Sequence, residues 1–171
     1  GDNGGAGQSL FAGLSTPTGA TVFGSARVTG GNGDEGMLFR RFYVGGSLTV
    51  NTFAGNDTVA FDDTDVVGRT SIDLGAGNDL FQSELLTGDI GGPLSDPTTF
   101  GGVFTLKAGA GDDEVYLSDD SDPATCVKFG SRAILLSGSG MDTLGNGPDN
   151  EFKATNNLND FNTTFGTPVP I

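Results

Sequence analysis

The sequence predicts an all-β chain wound as a solenoid of parallel strands, and three observations lead there. A glycine-rich acidic turn recurs along the chain, as "FAGNDTV" (53–59), "GAGNDLF" (75–81) and "GAGDDEV" (109–115). Apolar columns keep a fixed offset from that turn. The segments between turns alternate apolar and polar residues with the period of two that a strand imposes.

Two further copies, "GNGDEGM" (31–37) and "GSGMDTL" (138–144), and a degenerate one, "GAGQSLF" (5–11), complete the series. The acidic position falls at Glu35, Asp57, Asp79, Asp113 and Asp142, at intervals of 22, 22, 34 and 29 residues. The unit is therefore 22 residues, with insertions of 12 and 7 in the last two intervals. Seven residues before the acid stand Val28, Val50, Ile72, Leu106 and Leu135, and two after it Met37, Val59, Phe81, Val115 and Leu144. Thirteen before it stand Val22, Val44, Val66, Phe100 and Phe129. Three short alternating segments separated by glycine corners describe one coil, whose in-facing side chains stack on the next coil about 4.8 Å away.

In chain order, residues 1–19 read as a partial first coil or cap and 20–147 as regular coils. Insertions at 85–97 and 118–125 are expected to protrude from one corner. The repeat signature ends after Gly145, so residues 148–171 read as a C-terminal cap and tail, with Phe161 and Phe165 covering the open end of the stack. Open strand edges need such cover. The whole chain forms one domain.

Thirty glycines with 13 Phe, no Trp and no His fit many short strands joined by tight turns. The glycines lack the three-residue period of collagen, and 35% apolar content exceeds that of disordered chains. A formal charge of −14 repels nucleic acid and anionic membrane and suits divalent cations. No apolar run reaches membrane-spanning length. Cys126 is alone, so no intrachain disulfide forms. The opening "GDNGGAGQ" looks like a trimmed start, compatible with a removed export signal.

The acidic turns resemble the repeats-in-toxin (hemolysin-type) calcium-binding motif G-G-x-G-x-D-x-U-x, matching it at Gly75, Gly77, Asp79 and Phe81. In that family, glycine carbonyls and aspartates of stacked turns chelate calcium. That motif recurs every nine residues, whereas here it recurs once per 22, so the resemblance implies one calcium edge at most. The period and three-strand outline resemble instead the right-handed parallel β-helix of pectate-lyase-like and adhesin-like bacterial secreted proteins. What that implies is a right-handed helix of five to six coils, secreted or at the cell surface.

A calcium edge would draw on carboxylates of Asp57, Asp79 and Asp113, carbonyls of Gly55, Gly77 and Gly111, and side-chain oxygens of Asn56, Asn78 and Asp112. Calcium takes six to eight such hard oxygens, and stacked like charges favour an intervening cation. The alternative is that Asn and Asp only shape and cap the corners. A phosphate cradle is excluded, since neither a helix nor a lysine follows the glycine loops. The clusters Asp62, Asp63, Asp65 and Asp119, Asp120, Asp122 offer a second, looser cation site or a solvated loop.

Without His, nucleophile–base pairs of the Ser-His or Cys-His type are excluded. Asp73 and Lys107 stack with Asn51 on an outward face, as an ion pair or, on the lyase resemblance, as calcium holder and base. Arg40 and Arg41 beside the acidic corner serve equally as charge balance. The expected function is a non-catalytic secreted or cell-surface module, an adhesin, spacer or matrix component, with a glycan or cell-surface protein as partner. The alternative is a lyase-like enzyme acting on acidic glycans. Ile134 and Leu136 lie on a segment apolar on both faces, which suits a homotypic contact or cover by the C-terminal segment.

Overall fold

The computed structural model describes residues 9–12, 19–84, 96–118, 126–147, 150–153, 157–159 and 162–163. They form strands and turns, with no helix among them. The strands run β1 (Ser9–Ala12), β2 (Ala20–Val22), β3 (Ala26–Thr29), β4 (Gly36–Arg40), β5 (Phe42–Val44) and β6 (Leu48–Asn51). Next come β7 (Thr58–Asp62), β8 (Asp65–Val66), β9 (Thr70–Asp73), β10 (Leu80–Ser83), β11 (Thr98–Phe100) and β12 (Phe104–Ala110). The last are β13 (Glu114–Leu117), β14 (Val127–Phe129), β15 (Ala133–Ser139), β16 (Thr143–Asn146), β17 (Glu151–Phe152), β18 (Asn157–Asn159) and β19 (Asn162–Thr163).

Successive strands go to three different parallel sheets in rotation. A seven-stranded sheet stacks β1, β4, β7, β10, β13, β16 and β19; a six-stranded sheet runs from β2 to β17, and another from β3 to β18. Ladder partners lie one repeat apart: Val28 faces Val50, and Val50 faces Ile72. The register then carries across both insertions, with Ile72 facing Leu106 and Leu106 facing Leu135. The insertions themselves, at 85–95 and 119–125, lie outside the described residues.

The predicted in-facing columns are the core. Val50, Ile72, Leu106 and Leu135 are buried, as are Met37, Val59, Phe81, Val115 and Leu144. The sheet from β2 to β17 supplies Val44, Val66, Phe100 and Phe129. Phenylalanines pack against one another in it: Phe39 stacks on Phe61 with centroids 4.7 Å apart, and Phe104 meets Phe129 edge-on at 5.1 Å. Such ring pairs add to the area they bury.

The ladder does not stop where the repeat signature does: β17, β18 and β19 continue all three sheets beyond residue 147. Phe152 stacks on Phe129 at 4.8 Å. Backbone pairing needs neither the glycine corner nor the acid, so the signature can fade while the strands persist. β18 pairs with β15 along Ile134–Leu136. Phe161 and Phe165 lie outside the described residues.

Candidate functional site

At the corner that leads into the seven-stranded sheet, the acid turns stack in one line and hold two side-chain ladders. In the inner ladder each backbone N–H donates to the carboxylate one coil further along the chain. Glu35 donates to Asp57 Oδ1 at 2.7 Å, Asp57 to Asp79 at 2.8 Å, Asp79 to Asp113 at 2.9 Å and Asp113 to Asp142 at 3.0 Å. The outer ladder runs the other way. Asn56 N–H donates to Asp34 Oδ1 at 2.7 Å, Asn78 to Asn56 at 2.8 Å, Asp112 to Asn78 at 3.0 Å and Met141 to Asp112 at 2.9 Å. The side chains thus satisfy amides that the strand ladders do not reach. Asp34 was not singled out in the sequence, although it precedes Glu35 as Asn56 precedes Asp57.

The glycine carbonyls are engaged as well. Gly55, Gly77 and Gly111 have φ of 129°, 141° and 136°. A Cβ on Gly77 would lie 1.8 Å from Gly55 O, and one on Gly111 1.9 Å from Gly77 O. Each carbonyl therefore points along the stack at the next glycine's Cα, the geometry of a C–H···O contact.

Of the expected calcium ligands, this leaves the second carboxylate oxygens. Oδ2 of Asp57, Asp79 and Asp113 and Oε2 of Glu35 are buried without a hydrogen bond. Burial pushes the Asp79 carboxyl up to about 7, with repulsion from Asp113 and Asp57 adding and the Asp57 amide opposing. Burial, then Asp142 and Asp112, raise Asp113, against the lowering pull of the Asp79 amide. Positive charge on the Oδ2 side, as protons or a cation, would relieve both groups.

Asp73 and Lys107 are ladder partners on an outward face, 3.4 Å apart, with side chains 41% and 55% exposed. Asn51 precedes Asp73 in the same column.

At the opposite end of the same strands lies a second acidic group, and here the structure differs from the sequence reading. Asp62, at the end of β7, is buried, and Asp63 is partly buried. Asp65 is exposed on β8 and is not one of the carboxylates that group with them. The partner of Asp62 and Asp63 is Glu84, which follows β10. One carboxylate oxygen from each of the three lies within 4.8 Å of the others, the one such trio among the described residues. Arg40 Nε pairs with Asp62 Oδ2 at 2.6 Å and Arg41 Nε with Asp63 Oδ2 at 3.3 Å, so both arginines balance charge. Glu84 Oε1 accepts the amides of Asp63 at 3.1 Å and Thr98 at 2.9 Å, and the Thr98 hydroxyl. Burial first, then Asp62 and Asp63, push the Glu84 carboxyl up to about 8, against lowering by Thr98 and the Asp63 amide. Register could have flagged Glu84, since it follows Ser83, which faces Phe61. Asp119, Asp120 and Asp122 lie outside the described residues.

No family model, no curated protein and no solved structure matches the chain.

Proposed function

We propose that this chain is a non-catalytic module: a single right-handed parallel β-helix of about 22 residues per coil and five to six coils, secreted or held at a cell surface. It acts as a spacer, adhesin or matrix component toward a glycan or a surface protein. Outward Ile134 and Leu136 on β15 offer a contact to a second copy. Calcium enters this reading as a stabiliser of the acid-turn edge, held by the buried second oxygens of Asp57, Asp79 and Asp113.

The observation that carries the reading is the environment of Asp73 and Lys107. They are the calcium holder and the base that a lyase mechanism would need, and they pair with each other in the open on a sheet face. A base that must take a proton from a sugar is better served by a site that excludes water and holds it apart from its counter-ion. The test is incubation with pectate and with alginate in calcium, monitored for unsaturated product. No product is expected. Product formation that is abolished by Lys107→Ala would overturn the module reading in favour of a carbohydrate-active enzyme.

A further inference from the structure

We propose that Asp62, Asp63 and Glu84 form a binding site for one hard cation of the calcium class, distinct from the acid-turn edge. The two places are separated by the length of β7, since Asp57 precedes that strand and Asp62 ends it. At strand rise this is about 16 Å.

The first observation is geometric. The trio brings one oxygen from each carboxylate within 4.8 Å of the others. Calcium takes six to eight oxygens in flexible geometry, whereas magnesium demands a near-ideal octahedron and keeps most of its waters, so an irregular trio of carboxylates suits calcium better. All the donors are oxygens, which suits calcium over zinc or copper.

The second observation is independent of clustering. Glu84 is only 5% exposed, and its Oε2 accepts no hydrogen bond, although Oε1 accepts three. A buried carboxylate oxygen left bare carries a desolvation cost. Charge counting points the same way. Arg40 and Arg41 answer Asp62 and Asp63, whereas Glu84 has no cationic side chain paired with it among the described residues. A cation beside Oε2 supplies the missing positive charge and uses an oxygen that has no other role. The acidic molecule as a whole, at −14, favours its arrival.

This inference does not rest on calcium at the acid turns, and the test separates the two. Melting temperatures are measured for the full chain in an Asp79→Asn background, with chelator, with millimolar calcium and with millimolar magnesium. Calcium is expected to raise the melting point by several degrees and magnesium much less. Adding Glu84→Gln should abolish the rise, since Gln keeps the Oε1 acceptor and places an amide where the cation would sit. No calcium-dependent rise in the Asp79→Asn background overturns the proposal and leaves the acid-turn reading standing. A rise that survives Glu84→Gln, or one that magnesium matches, overturns it too. Should the double variant fail to fold, terbium soaked into crystals of the wild-type chain decides. An anomalous peak between Asp62, Asp63 and Glu84 supports the site, and its absence there refutes it.

Discussion

Gly77 shows how little freedom the acid corner leaves a single residue. Its φ of 141° disfavours any side chain, and a Cβ would overlap the Gly55 carbonyl at 1.8 Å. Because that atom is backbone, the clash cannot be relieved by a rotamer change. Gly77→Ala should therefore destabilise by at least about 2 kcal/mol, measured by denaturant titration. Asp79 gives a prediction of opposite character. Its carboxyl is raised to about 7 in the folded chain, so the fold binds this proton more tightly than the unfolded chain does. That contribution is complete below the ordinary carboxylate range, near pH 4, and is lost as pH rises through about 7. In chelator, the melting point should fall between pH 5 and pH 8. Asp79→Asn should flatten part of that fall, because Asn keeps the Oδ1 acceptor and mimics the protonated acid. An Asn variant with the same pH profile as the wild type would refute this account.

For the strands, outward and inward columns carry very different energies. The Asp73–Lys107 rung joins β9 to β12 in the open, and exposed pairs of this kind contribute well under 1 kcal/mol. Lys107→Ala should change the melting point by no more than a degree or two. The inward face of β12 is another matter. Phe104 is fully buried among Phe81, Phe100 and Phe129. Phe104→Ala should cost about 3–5 kcal/mol, since it leaves a cavity at the junction of several coils. A loss below 1 kcal/mol in the same titration would mean that the aromatic stack is not packed as described.

Over the whole molecule, each coil touches mainly its neighbours, so stability is distributed along the stack. Amide hydrogen exchange should be slowest in β7, β9, β10 and β12, which have paired strands on both sides, and faster in β2 and β3 at the edge of their sheets. Uniform protection from end to end would contradict a stack of coils. The same one-dimensional order explains what could be read without coordinates. Each ladder partner is a fixed count away, so the 22-residue interval, the in-facing columns from Val28 to Leu135 and the single line of acid turns are all legible in the sequence. Side-chain alternation and chain counting are local properties, and both survive insertions that loop out of the stack.

What only the tertiary structure decided lies where counting fails. That Asp57, Asp79 and Asp113 give Oδ1 to a neighbour's amide and leave Oδ2 bare depends on the tilt of one turn over the next, which residue type does not report. The grouping of Asp62 and Asp63 with Glu84, and not with Asp65, depends on how two strand ends meet across coils. The continuation of the sheets into β17, β18 and β19 rests on backbone pairing that needs no particular side chain. Sequence by itself determined which residues face inward and which turns align, because both follow from a period. Structure decided what each oxygen does there, because hydrogen bonding is settled in fractions of an ångström between segments far apart in the chain.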